Sequence, residues 1–172
     1  PDDTAERVYF QAPVVVWHED GNVEVANASP DMQKDLFSLN MAVFAQLRKL
    51  GRLGRLAKSV LFCSTRGALS PVHFDQAQNL FQQLRGCKRF LLFPPELSHC
   101  FYPYPVAHPM DHRARVDLER PDFARYPQLH NALGKGIVAD LQPGDMLFLP
   151  SHWWHQVLSL DETTVSMNFW YE

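Results

Sequence analysis

Three cysteines, Cys63, Cys87 and Cys100, are all that 172 residues contain, with no CxxC spacing and one necessarily left over. That excludes a disulfide framework and a zinc knuckle, and it points to a reducing compartment, the cytoplasm or the nucleus. No apolar run approaches the ~18 residues that a membrane-spanning helix needs, and no signal peptide is visible, so no membrane partner is expected. Charge of neither sign dominates. A net charge of −3 and a pI of about 6.2 give nucleic acid no bulk hold. The one local exception is the basic stretch Arg48-Lys49-Leu50-Gly51-Arg52-Leu53-Gly54-Arg55-Leu56-Ala57-Lys58, which reads as a solvated helix and loop. Internal repeats and low-complexity segments are also missing. The chain starts Pro1-Asp2-Asp3 without Met and stops at Glu172 directly after a strand-like run, so it is expected to be a piece of a longer protein. With 46% hydrophobic and 20% charged residues, positions 1–172 are expected to form one globular domain with a real core.

What is present is a series of short extended runs punctuated by Gly and Pro. Tyr9 to Trp17 is β-branched and aromatic, and Asp20-Gly21-Asn22 turns it into Val23-Glu24-Val25. Ser29-Pro30-Asp31 opens a helix, with a Ser cap, Pro in the first turn and an acid at the positive end of the dipole. Helical or irregular structure should then run to about Leu50. Strands resume at Val60-Leu61-Phe62-Cys63, around His73, over Asn79 to Leu84, and over Lys88 to Phe93, where Pro94-Pro95 stops the run. Residues 95–135 form a long insert rich in Pro, Tyr and His, and inserts of this length are usually functional. Further strands follow at 136–138, 146–149, 156–158 and 163–170. The sum is a mainly β fold, a jelly-roll or cupin-type double-stranded β-helix with a few helices near the N-terminus.

Two stretches carry the chemistry. In Ser70-Pro71-Val72-His73-Phe74-Asp75, strand alternation turns His73 and Asp75 to one side and Phe74 to the other. In Pro150-Ser151-His152-Trp153-Trp154-His155, a second imidazole becomes available on a partner strand. Two histidines and one carboxylate suit non-haem Fe(II) with open positions for a co-substrate and O2. His152 falls out of phase with His155 and is expected to be exposed. His99 has no partner at zinc spacing, and His18, His108 and His130 read as surface or loop residues.

These motifs, with Asn79-Leu80-Phe81, Gly86-Cys87-Lys88-Arg89, Leu92-Phe93-Pro94-Pro95, Tyr102-Pro103-Tyr104-Pro105-Val106, Pro143-Gly144-Asp145 and Asn168-Phe169-Trp170-Tyr171, resemble the JmjC branch of the Fe(II)/2-oxoglutarate oxygenases. More narrowly, they resemble the asparaginyl hydroxylases that act on hypoxia-inducible factor and ankyrin repeats. The likeness covers nearly everything from about residue 58 to 172, is looser at Arg7 to Gln11, and barely touches 12–57. The resemblance implies that His73, Asp75 and His155 hold Fe(II). It implies that Lys88 pairs with the distal carboxylate of 2-oxoglutarate, and that Ser70 and Tyr9 hydrogen-bond the same carboxylate. Asn79 and Asn168 match amides near co-substrate and metal, Trp170 an aromatic wall, and Gln11 a residue that touches the target. From the residues alone, Lys88 reads as a surface lysine at a hairpin end, and Trp170 equally as plain core.

The pattern departs from the family at one place. Where an Arg-Gln pair lies against the target asparagine in the resembling enzymes, this chain reads His112-Arg113. Arg offers only donors and His is titratable, so the amide reader has changed. The expected activity is hydroxylation of a protein side chain, with Asn, Asp and His as candidates, using O2 and yielding succinate and CO2. The expected partner is a protein or peptide, ankyrin-repeat-like or otherwise. The alternatives are a JmjC lysine demethylase, an RNA-modifying oxygenase resting on the Arg48–Lys58 patch, and a silent cupin that only binds. The sequence leaves the oligomeric state open.

Overall fold

The computed structural model describes residues 7–17, 23–25, 29–31, 34 and 54–172. Among these residues, ten antiparallel strands build two sheets. The six-stranded sheet runs β2 (Val23–Val25), β1 (Tyr9–Trp17), β3 (Leu56–Ser64), β10 (Thr164–Tyr171), β5 (Gln78–Arg85), β8 (Met146–Leu149). The four-stranded sheet runs β4 (Leu69–His73), β9 (Trp154–Ser159), β6 (Lys88–Phe93), β7 (Ile137–Leu141). This is the cupin-type β-sandwich that the run of short strands implied. The β1–β2 hairpin forms as expected, and Pro13, which cannot donate to a ladder, sits at a register shift in β1. Pro30, Asp31 and Lys34 are helical where Ser29-Pro30-Asp31 predicts a helix. The rest of that expected helix, most of the basic stretch, and His18 lie outside the described residues.

Alternation along each strand sorts side chains between a core face and an inter-sheet cavity. On β5 and β10, Leu80, Met167, Phe169 and Tyr171 pack with Val14, whereas Asn79, Phe81, Asn168 and Trp170 line the cavity. Gly86 makes the β5–β6 turn at φ +63°, and a Cβ there would stand 2.4 Å from the Thr163 carbonyl oxygen. Only glycine fits that turn, which delivers Lys88 to the start of β6.

The insert is more structural than its length suggested. A 3-10 turn (Pro95–Leu97), one helical turn (Ser98–Phe101) and a second 3-10 segment (Pro127–Ala132) fold against the outer face of the four-stranded sheet. Leu97, Cys100, Phe101, Val116, Leu129 and Ala132 form one core with Val72 and Trp154. Trp154 is fully buried and its indole N–H donates to Ser98 Oγ at 2.8 Å. Truncating a Trp in such a core costs about 3–5 kcal/mol. That anchorage therefore fixes β9, and with it His155, which points the other way.

Candidate metal centre

His73 closes β4, and the chain then leaves the sheet. Alternation along a strand would keep Asp75 in β4; the structure corrects this. Past His73 the backbone pairs with the insert instead: His73 bridges Arg113, Phe74 N–H donates to the His112 carbonyl, and Ala114 N–H donates to the Val72 carbonyl. Asp75 lies in the following loop, where its carbonyl accepts from His152 N–H at 2.8 Å. Phe74 does turn away, its ring 4.9 Å from Trp154 and 5.4 Å from His152.

His155 lies directly opposite His73 in the β4–β9 register, with ring centroids 4.1 Å apart. Each imidazole makes the same bond to its own strand. His73 Nδ1 donates to the Pro71 carbonyl at 2.7 Å, and His155 Nδ1 to the Trp153 carbonyl at 2.9 Å. Carbonyls only accept, so both Nδ1 atoms carry the proton and both Nε2 lone pairs are bare. Burial, with His155 facing it, pushes His73 down to about 4, and burial lowers His155 as well. Both rings are thus neutral at pH 7, the form that ligates. Ligand atoms from His73, Asp75 and His155 all lie within 4.8 Å of one another. Two neutral imidazoles and a carboxylate held this way fit a divalent first-row metal.

Trp170 does more than wall the site. Its Nε1–H donates to Asp75 Oδ2 at 2.9 Å, leaving the other carboxylate oxygen for an ion. Trp170→Phe keeps the ring and removes that bond. The expected result, read by metal titration, is a roughly 10-fold loss of metal affinity with little change in melting temperature.

Both sheets contribute to the cavity of about 640 Å³ that these groups line. Lys88 is only 2% exposed, so the hairpin-end surface alternative is wrong. Its ammonium donates to Ser166 Oγ at 3.0 Å and lies 5.7–5.9 Å from the rings of Phe81, Tyr9 and Phe62. Among the described residues no carboxylate pairs with it. Burial lowers its pKa to about 8. A nearly dry, unpaired cation is costly unless an anion joins it, so the cavity fits the carboxylate of an acidic small molecule.

Tyr9 is 48% exposed overall, yet it borders the cavity near Lys88, and burial together with Asp75 pushes its phenol up to about 12. Ser70 lines the same space. Asn79 Nδ2 donates to Asn168 Oδ1 at 2.7 Å, and Asn79 Oδ1 accepts from Phe169 N–H, which ties the two buried amides together. Gln11, His112 and Arg113 stand at the mouth. Every candidate residue named from sequence is thus brought to one cavity. Three others were missed: Ser166, Phe62 and Lys58. Period-two alternation would have found them, because Ser166 precedes Asn168 and Trp170 on β10, and Lys58 and Phe62 share a face of β3. As expected, His152, His108 and His130 are exposed; His99 is exposed too, and the three cysteines are free.

A protein-family model described as "Cupin-like domain" matches residues 2–172. HSPB1-associated protein 1 homolog of Danio rerio is 41% identical over 124 residues, 71% of this chain and 27% of that protein. Lysine-specific demethylase JMJ31 of Arabidopsis thaliana is 37% identical over 105 residues, 61% of this chain and 19% of that protein. Lysine-specific demethylase 8 of Danio rerio is 35% identical over 105 residues, 61% of this chain and 25% of that protein. The chain thus spans about a quarter or less of the length of these relatives. With both sheets, the His-Asp-His constellation and a family match over nearly its whole length, the chain belongs to the cupin-like domain family, in its JmjC-type branch.

Proposed function

We propose that this domain is an Fe(II)- and 2-oxoglutarate-dependent dioxygenase that hydroxylates a side chain of a protein substrate. The observation that carries the reading is the buried, carboxylate-free Lys88 ammonium in the same cavity as His73, Asp75 and His155. In this reading His73, Asp75 and His155 hold Fe(II), which supplies oxygen activation coupled to decarboxylation of 2-oxoglutarate. Lys88 neutralises the distal carboxylate, and Ser70 and Tyr9 hydrogen-bond it. Phe62, Phe81 and Trp170 keep water from the reacting centre. Asn79 and Asn168 hold each other in place beside the co-substrate, and Gln11, His112 and Arg113 meet the target. A protein target is supported by the name of the 41%-identical relative, which describes association with HSPB1. The free cysteines support a cytoplasmic or nuclear setting.

Lysine demethylation is the second reading, favoured by the names of two relatives. Both chemistries convert 2-oxoglutarate to succinate, so succinate formation with Fe(II), followed by mass spectrometry of candidate peptides, separates them. Gain of one oxygen on an unmethylated side chain is expected. Loss of a methyl group from methyl-lysine would replace hydroxylation with demethylation, and absence of any succinate would overturn both.

A further inference from the structure

Two cations at the cavity mouth have no use in holding metal or co-substrate. Lys58 on β3 is exposed, with its ammonium 5.0 Å from the ring centroid of Trp170, the residue bonded to Asp75. Arg113 is exposed on the opposite wall, on the segment that bridges His73. Both line the cavity, and among the described residues neither has an ion pair. Lys58 also lines the neighbouring groove of about 720 Å³, which shares Pro13, Asp75, His112 and Trp170 with the cavity.

Among the described residues, Asp75 is the one acid that lines the cavity itself. Asp75 belongs to the metal constellation, and Asp111 Oδ1 accepts from His112 Nδ1 at 3.0 Å. Glu172, at the far end of the groove, has its backbone paired in both directions with that of Arg55. Inside, the positive metal and Lys88 are balanced by Asp75 and a doubly charged co-substrate. Among the described residues that line the cavity, the charges left facing an arriving target are Lys58 and Arg113, both positive, on a chain whose net charge is −3.

We infer that Lys58 and Arg113 select a target segment bearing carboxylates around the side chain to be oxidised, and that they repel one bearing a cationic methyl-lysine. The inference rests on the oxygenase reading of the cavity and narrows it to acidic polypeptide substrates. Arg113 offers a carboxylate the two-pronged hydrogen bonding that a planar guanidinium provides, and Lys58 adds a point charge on the other wall.

The test is binding, independent of turnover. The protein is loaded with Mn(II) and 2-oxoglutarate without O2, and fluorescence anisotropy follows three labelled peptides. They share one Ser/Gly/Asn framework, carrying several Asp, several Lys, or neither. The Asp peptide is expected to bind tightest, with affinity that falls steeply with salt. Lys58→Glu/Arg113→Glu should weaken it about tenfold or more, whereas Arg120→Glu, an exposed arginine outside the cavity, should not. Both cations are exposed, so the double variant should melt with the wild type. Failure of the Asp peptide to bind, equal or better binding of the Lys peptide, or indifference to the double variant overturns the inference. If the Asp peptide binds at this mouth but no succinate is ever formed, the charge selection stands and the oxygenase reading falls.

Discussion

Asp75→Ala is expected to abolish specific binding of a divalent metal and all succinate formation. Asp75 supplies the only carboxylate of the constellation, facing two neutral imidazoles whose lone pairs point the same way. Losing one supporting hydrogen bond at such a site typically costs about 10–100-fold in metal affinity. Losing the anionic ligand itself should exceed that, with a fall of at least about 100-fold. Thermal melting provides a check without catalysis. A metal at 100 times its Kd stabilises the folded form by about 2.7 kcal/mol, and that metal-dependent rise should vanish in Asp75→Ala. Asp75→Asn, which keeps an acceptor for the Trp170 N–H, should retain the metal-free melting temperature and still lose the metal response.

Lys88→Met should have opposite effects on binding and on folding. With 2-oxoglutarate bound, the ammonium and the distal carboxylate would form a buried charge pair, and removing one partner of such a pair costs about 2–5 kcal/mol. The expected loss of 2-oxoglutarate affinity is therefore at least about 30-fold, with metal affinity little changed. In the ligand-free protein the sign reverses. Burial depresses Lys88 from 10.5 to about 8, so holding it charged at neutral pH costs the folded state about 3 kcal/mol. Because the folded-state pKa is the lower one, the folded form gives up its proton first. The cost is fully present below about pH 8 and is relieved as pH rises toward 10.5. Lys88→Met should accordingly melt higher than wild type at pH 7, and the difference should shrink by pH 10. Co-substrate affinity of the wild type should decline as pH rises past about 8, where the free lysine loses its charge. Urea unfolding and calorimetric titration across that range read both effects.

The sheets were legible because their signals are local: alternation, β-branched runs, and Gly or Pro at each turn. So were the metal-site residues, although not for the whole reason. Strand alternation placed Asp75 correctly beside His73, but β4 ends at His73 and the carboxylate is aimed by loop contacts to His152 and Trp170. Those contacts join residues 77 and 95 positions apart, and alternation cannot see them. Lys88 was ambiguous for a similar reason. Its burial comes from lying between β9 and β7, with Gly86 tucking the turn beneath it. The length of the insert suggests function, yet most of it builds a second core around Trp154; His112 and Arg113 reach the cavity, and Asp111 the adjoining groove. Lys58 sat in a basic stretch that looked merely solvated; a register three strands wide (β3, β10, β5) sets it beside Trp170.

The metal constellation and Lys88 are expected to serve one co-substrate together. Calorimetric titration of 2-oxoglutarate into wild type and Lys88→Met, each with and without Mn(II) in the absence of O2, tests it most directly. Tight binding is expected only to metal-loaded wild type, with at least about 30-fold loss in metal-loaded Lys88→Met. Equal binding with and without metal, or binding indifferent to Lys88, would contradict it.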